Sequence, residues 1–467
     1  MIPMSMNEIR RCVHGSWCSE GVDVMIEGVS IDSRTARPGD LFVAIRGENF
    51  DGHDFLASAA NAGCIGSLVD IDGCQVGLAD ESDRRFGAGM IKVDDTVKAL
   101  GLLAVEHRKK AAVTTVIGVT GSNGKTTTKR MIDHILSRRF TGSGSPKSFN
   151  NEIGVPLTLL GVNRNDDYVV CEIGTNAPGE IRHLTAMSSP NIGVITSIGP
   201  THLERLGSLE NVAAEKASML GLLANDALAV VWGDSDELNH ASRAFHGRMI
   251  RFGRSEQCQL RLSDYRVVGR GCEFEINGRL RVELSVTGSH NALNAMAAIA
   301  VAQRMGVDPA DSGACLGDFA GAPMRQEWVQ AGPISIINDA YNANPSSLAA
   351  AGEVLSSAEG HRRVMIAGDM LELGDAAEEF HRQAGMRLGE SNVDLLIGVG
   401  ALGRYIAVGA QDANVETLSF DSVEELSAEI VDLLKPGDAV LVKGSRSMGM
   451  ERLVEAITEG FNDAGKE

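Results

Sequence analysis

The stretch Val116-Ile117-Gly118-Val119-Thr120-Gly121-Ser122-Asn123-Gly124-Lys125-Thr126-Thr127-Thr128 runs from apolar β-branched residues through a glycine-flanked turn to a lysine and three threonines. That order predicts a strand, a phosphate-cradling loop and a helix. Loop N–H groups and the positive end of the helix then face one anion. Gly121, Ser122, Asn123 and Gly124 form the cradle, Lys125 reaches the β- and γ-phosphates of a nucleotide, and Thr126 and Thr127 offer hydroxyls, Thr126 to Mg²⁺. Val119 stands where the general G-x-x-x-x-G-K-[ST] pattern has its first glycine.

Other residues fit chemistry on the same nucleotide. Glu172 ends the apolar run Val169–Ile173, and a carboxylate at the C-terminal end of a parallel strand faces the crevice where ligands bind. His202 follows another such run, Ile192–Ser197, and is read as a second ligand. Lys216 sits in a helical stretch, 208–222; on spacing alone it reads as a surface lysine whose stem snorkels. The amides in His290-Asn291-Ala292-Leu293-Asn294 could read an adenine edge or cap a helix, and capping is the default. Asn338-Asp339-Ala340-Tyr341-Asn342-Ala343-Asn344-Pro345 is too polar for a simple turn. Arg325 lies at a domain junction, where a guanidinium could clamp a γ-phosphate.

The elements that must hold these residues read as α/β throughout, in three domains: 1–110, 111–325 and 326–467. The first is a small α/β unit with a helix over Thr96–Lys110. The second is a mostly parallel sheet with strands at 115–119, 168–173, 192–197 and 227–232, an antiparallel meander over 258–287 and a helix over 291–304. The third is Rossmann-like, with strands at 334–337, 364–367, 395–399 and 439–442 and helices near 346–357, 376–389 and 423–434. It has no G-x-G-x-x-G after its first strand, so a dinucleotide is not expected. Asp463 to Glu467 is expected to fray.

The chain has 467 residues, 43% of them hydrophobic, and a formal charge of −19, which argues against broad binding to nucleic acid or anionic membrane. No run approaches the ~18 apolar residues of a membrane span, and the first dozen residues lack a signal-peptide core. The eight cysteines form no C-x-x-C, so unpaired thiols in a reducing cytoplasm are expected, with Cys171 and Cys315 buried.

Read in order, these segments resemble the Mur ligase family, which makes amide bonds at the expense of ATP. The loop form T-G-[ST]-N-G-K-[ST] is shared with that family and the folylpolyglutamate synthases. The resemblance covers nearly the whole chain. It includes Asp32-Ser33-Arg34, Pro38–Ala44, Asp51-Gly52-His53-Asp54-Phe55 and Asn150–Thr158. Tyr341-Asn342-Ala343-Asn344-Pro345, Gly368-Asp369-Met370-Leu371-Glu372-Leu373-Gly374 and Lys443-Gly444-Ser445-Arg446 resemble the branch of the family that adds D-alanyl-D-alanine to UDP-N-acetylmuramoyl-tripeptide, which is the activity the resemblance implies.

The resemblance implies ATP and two Mg²⁺ ions as cofactors. Thr126 and Glu172 would hold one ion. His202 would hold the second with a carbamylated Lys216, the neutral amine having taken up CO₂ to become an oxygen donor. Asn151, Asn294, Arg325 and Asp339 would contact ATP, with Asn342 and Asn344 near the adenine or ribose. Ser33 and Arg34 would lie at the uridine-diphosphate end of the substrate, and Thr175 would also contact substrate. Lys443, Ser445, Arg446 and Asp369 are candidates for the dipeptide. Ser218 stands two residues after Lys216, where the family often has glutamate.

The implied reaction forms an acyl phosphate on the tripeptide and then an amide with the dipeptide amine, catalysed by Lys125, His202, Lys216 and Arg325. The implied enzyme is a monomer, cytoplasmic, serving peptidoglycan synthesis. One alternative is the branch that adds the third amino acid to the dipeptide precursor, against which the chain lacks Asp-Asn-Pro-Arg in its last domain. Another is a nucleotide-controlled switch with no acceptor amine.

Overall fold

The computed structural model describes residues 1–79 and 82–463. Among these, the strands form a short ribbon, Met4–Ser5 with Met25–Ile26, and three larger sheets. The expectation of a frayed end falls on 464–467, outside the described residues; the last helix, Glu451–Asp463, ends just before them.

The first large sheet has the order Ser16–Trp17, Met90–Lys92, Gly66–Val69, Asp40–Val43, Gly28–Ser30; only the first pairing is antiparallel. The helix Thr96–Lys110 has the expected bounds. Asp95 caps it through the N–H groups of Val97 and Lys98, and three basic residues and a histidine close its last turn, where they meet the negative end of the dipole. Its apolar face (Leu100, Leu103 and Ala104) joins one continuous core with Met4, Ile9 and Leu41 on one side and Val116, Val169 and Cys171 on the other. The first two sheets are therefore bound into one body by shared burial.

The second sheet has nine strands. Around its first strand in sequence, Thr115–Thr120, lie Tyr168–Glu172 on one side and Ile192–Ile195 on the other, both parallel to it. The chain order reverses there, which opens a crevice beyond the carboxyl ends of these strands. The far end is the expected meander, Leu260–Val268, Gly271–Ile276 and Leu280–Leu284, antiparallel throughout. Cys272, Phe274 and Ile276 alternate inward, the period of a half-buried strand. Helix Ser289–Arg304 packs its alanine-rich face on helix Lys125–Leu136.

The third sheet has six strands, in the order Glu327–Ala331, Ile334–Asn338, Asp438–Lys443, Arg362–Gly368, Leu395–Val399, Glu416–Phe420, antiparallel only at the first pair. It carries its own cores on both faces. The strands 327–331 and 416–420 and the helices Gly403–Asp412 and Glu451–Asp463 were not anticipated. The two strands lie at the sheet edges with much of their surface exposed, and Gly403 and Gly409 dilute the helical pattern between 403 and 412.

The expectation of unpaired cysteines fails at one pair. Cys18 and Cys74, 56 residues apart, are joined as a disulfide with Cα atoms 5.8 Å apart. Cys18 leaves the edge strand Ser16–Trp17, and Cys74 lies on helix Ile71–Ala79, which packs on Met90–Lys92 beside it. No spacing motif signals such a pair. Cys171 is buried as expected, whereas Cys315 is only partly so. Among the described residues no helix is long and apolar enough to cross a membrane.

Candidate active site

The phosphate loop follows strand Thr115–Thr120 directly and enters helix Lys125–Leu136. Two glycines are sterically required. A Cβ on Gly121 (φ 151°) would fall 1.9 Å from Thr196 Oγ1, and one on Gly124 (φ 81°) 2.3 Å from Asn294 Oδ1. The neighbouring strand end holds the loop in shape: Ser122 N donates to Ser197 O, Asn123 N to Ser197 Oγ, and Ser122 Oγ to Gly199 O, all at 2.8–3.0 Å. Lys125 folds back over the loop, donating to Gly121 O at 2.7 Å, and burial lowers its pKa against the opposing pull of Glu172.

Glu172 is 1% exposed at the floor of the crevice. Thr126 Oγ1 donates to its Oε2 at 2.9 Å and Asn150 Nδ2 to its Oε1 at 3.1 Å. The expected Thr126–Glu172 pairing is thus present. Sequence reasoning missed Lys129, whose buried ammonium lies 3.4 Å from Glu172 Oε2 and donates to the carbonyls of Ser145 and Lys147. Its one hint in the sequence is spacing, four residues after Lys125 and one turn along the same helix face, which does not show its partners.

Asn151 lines the cleft but spends its Oδ1 on the N–H groups of Ile153 and Gly154, at the start of helix Gly154–Leu160. The capping expectation for residues 290–294 is overturned. The helix begins after Gly288 with no side-chain cap; Asn291 donates instead to Thr287 O and Gln326 Oε1, and Asn294 bonds Asn291 and Thr128. Asn294 thus faces the loop helix, while Asn291 ties the segment before its own helix to Gln326. Gln326, also unanticipated, contacts His290 Nε2.

The C-terminal sheet supplies the opposite wall. Lys443 Nζ pairs with Asp339 at 2.6 Å and donates to Asn342 O. Asn344 and Asn123 form a reciprocal amide pair across the crevice, Nδ2 to Oδ1 at 2.7 Å and 3.2 Å. Asn344 also makes a capping box with Ser347 at helix Pro345–Ser356. Arg325 projects from the junction, its guanidinium carbon 4.0 Å from the ring centre of Tyr341. Its neighbours Met324 (φ 57°) and Gln326 (φ 56°) are both left-handed.

His202 (φ 54°) also reaches the C-terminal domain: its Nδ1, a buried polar atom without an aligned hydrogen bond, lies 2.5 Å from Glu372 Oε2, and the contact holds the Glu372 carboxyl below its usual pKa. Lys216 corrects the surface reading. It is 1% exposed, and burial, with repulsion from Lys125 second, pushes its pKa down to about 7. It lies in helix Leu209–Ala217 outside the lining of the cleft, while Ser218 Oγ is spent on Glu215 O.

The remaining predicted residues lie elsewhere or are engaged. Ser33 and Arg34 are outside this cleft, and the largely exposed Arg34 is paired with Asp32. Thr175 lines the cleft and bonds Ala177 O. Asp369 accepts from the N–H groups of Leu402 and Gly403, and Ser445 Oγ from Leu371 N, so both hold loops together. Arg446 lines the cleft while paired with Glu451.

The cleft encloses about 510 Å³ between the central and C-terminal sheets. Its lining combines the polar Lys125, Thr126, Glu172, Arg325 and Asp339 with the apolar or aromatic Trp232, Val286, Leu293 and Phe319. Trp232 Nε1 and His290 Nδ1 are buried polar atoms without a protein partner, and both residues line the cleft. Such a site suits a ligand with an anionic tail and a flat heteroaromatic head.

Three family models match the chain: Mur ligase family, catalytic domain, over 25–108; Mur ligase middle domain, over 119–302; and Mur ligase, glutamate ligase domain, over 324–446. The UDP-N-acetylmuramoyl-tripeptide--D-alanyl-D-alanine ligase of Bacillus subtilis (strain 168) is 35% identical over 98% of this chain and 99% of its own length. A crystal structure of MurF from Acinetobacter baumannii superposes with a TM-score of 0.86 at 30% identity, covering 98% of this chain and 99% of that one. MurF ligase from Thermotoga maritima, solved in complex with ADP, gives 0.78 at 26% identity, covering 94% and 98%.

Proposed function

Because the chain belongs to the Mur ligase family, we propose that it is the ATP-dependent ligase that joins D-alanyl-D-alanine to UDP-N-acetylmuramoyl-tripeptide, in the cytoplasm and for peptidoglycan synthesis. The observation that carries this reading is the facing of two charged walls. A phosphate loop with Thr126 and Glu172 stands opposite Arg325 and Asp339 across one cleft. Residues 1–110 bind the uridine-diphosphate end of the substrate, 111–325 bind ATP, and 326–467 bring the dipeptide.

ATP lies with its phosphates on Gly121–Thr126 and its base against Trp232, Leu293 and Phe319. The tripeptide carboxylate attacks the γ-phosphorus; the bond to the β-phosphate oxygen breaks, leaving ADP and an acyl phosphate. The dipeptide amine then attacks the acyl carbon, loses a proton, and inorganic phosphate departs. An anion attacking an anion needs charge neutralised, which Lys125 and Arg325 supply. The C-terminal wall shuts water out, which protects the acyl phosphate.

The residues fit Mg²⁺. One buried carboxylate beside a hydroxyl is the sparse oxygen set this ion takes when substrate phosphates and water complete its shell, and no denser group of His, Cys, Asp and Glu occurs among the described residues. Thr126 and Glu172 would hold one ion and His202 a second, neutralising phosphate charge there. Lys216 has the depressed pKa that carbamate formation needs, since the neutral amine is what takes up CO₂ and releases a proton.

The test is phosphate release from ATP, Mg²⁺ and UDP-N-acetylmuramoyl-tripeptide, with and without D-alanyl-D-alanine. Release that depends on the dipeptide, with a pentapeptide product by mass, is expected. Activity only with a diamino acid and the dipeptide precursor would move the chain to the neighbouring branch. Release indifferent to any acceptor would favour a nucleotide switch.

A further inference from the structure

His202 and Glu372 are drawn together by more than one contact. Glu204 N donates to Glu372 O across the same joint at 3.3 Å. Leu203 packs on the C-terminal core that contains Met370 and Leu373. Glu372 is itself left-handed (φ 64°), and a Cβ on the nearby Gly374 would sit 3.5 Å from Glu204 Cα. The turn after strand Ile192–Ile195 is thus seated on the segment 370–374, with the histidine ring and the carboxylate facing each other at 2.5 Å.

We infer that Glu372 is a positioning residue. By facing His202 Nδ1 from the other domain and accepting its hydrogen bond when the ring turns to bind, it leaves Nε2 as the free ring nitrogen and sets the ring for a divalent cation in the cleft. Metal-binding histidines almost always present their other ring nitrogen to a carboxylate or carbonyl, which fixes the tautomer and raises the basicity of the ligating atom. Here the two partners belong to bodies with separate cores, so the carboxylate arrives only with the docked C-terminal domain. Affinity for the cation and docking are therefore reciprocally linked: each strengthens the other by the same factor. This inference rests on the proposed role of His202 as a metal ligand.

The experiment counts Mn²⁺ ions and their affinities by paramagnetic resonance on the full chain with a non-hydrolysable ATP analogue. The variants are Glu372→Gln, Glu372→Ala, Glu372→Asp and His202→Ala. Glu372→Ala is expected to weaken the second, weaker ion by about 10- to 100-fold and Glu372→Gln by less, since its amide oxygen still accepts from Nδ1. Glu372→Asp should restore part of the loss. The tighter ion and the KM for the UDP-substrate should not move, which a merely structural defect would not spare. Glu372→Gln keeps the size and the backbone contact, so it serves if the alanine variant misfolds. Loss of the second ion in His202→Ala with none in Glu372→Ala or Glu372→Gln would overturn the inference and leave the metal reading intact. Two unaltered ions in His202→Ala would overturn the metal reading of His202 itself.

Discussion

Asn344→Ser separates the two tasks of one side chain. Asn344 caps helix Pro345–Ser356 through Ser347 N at 2.9 Å and bridges to Asn123 in the phosphate loop by two amide hydrogen bonds. Serine is as good an N-cap as asparagine but is too short to cap and reach Asn123 together. The variant therefore keeps the helix and loses the bridge. Each bond contributes about 0.5–1.5 kcal/mol net, so the docked arrangement loses about 1–3 kcal/mol, or roughly 5- to 150-fold in population at about 1.4 kcal/mol per tenfold. Dipeptide-dependent phosphate release should fall within that range, and small-angle scattering of the nucleotide-bound protein should report a larger radius. The melting temperature should stay close to wild type, because the cap survives. Asn123→Ser perturbs the phosphate loop as well, so the pair is isolated by a double-mutant cycle. A coupling of at least about 0.5 kcal/mol is expected. Additivity within about 0.3 kcal/mol would refute the bridge as an element of the working enzyme.

Lys125→Met should cut phosphate release by roughly a hundredfold or more while the protein still melts cooperatively; near wild-type turnover would remove the phosphate loop from the mechanism. Glu172→Gln should raise the Mg²⁺ concentration for half-maximal activity by roughly tenfold or more, read from a Mg²⁺ titration at fixed ATP. Lys216→Met should abolish turnover yet stabilise the fold. The lysine binds a proton up to its ordinary pKa of 10.5 when unfolded but only up to about 7 when folded, so between those values stability rises with pH. The variant's gain in melting temperature, measured in CO₂-free buffer, should be largest at pH 6 to 7 and vanish towards pH 10; a gain that grows with pH would contradict the burial argument.

Sequence pattern revealed those parts of the site that are local. A strand, a glycine turn and a Gly-Lys-Thr lie within thirteen consecutive residues, and each position has one backbone geometry to satisfy. Glu172 was readable only because of the neighbouring phosphate loop, since a carboxylate closing an apolar strand is ordinarily just solvated. Lys129 was not singled out because its task, bonding Ser145 and Lys147, appears only once the chain has returned beside its helix. The His202–Glu372 contact joins residues 170 positions apart in different domains, and neither residue type is unusual for a surface turn. Lys216 shows how spacing misleads. Its helix is short and flanked by Val212, Ala213 and Ala217, all buried, so the face that seemed free for a snorkelling stem is enclosed. Edge strands such as Glu416–Phe420 escaped notice because half-exposed residues weaken the alternation by which strands are recognised.

The junction around Arg325 has a mechanical meaning. The first two domains share one core while the third has its own, so relative motion is concentrated in the few residues that join them. Two of these, Met324 and Gln326, sit in left-handed backbone, a conformation that costs of order 1 kcal/mol or more for such side chains. The covalent connection thus carries a backbone cost at the point where the domains meet, which the amide bridge and the Glu372 contact offset from either side. Arg325 lies between the two strained residues with its guanidinium on Tyr341, so any change of backbone at this junction would move that guanidinium within the cleft it lines.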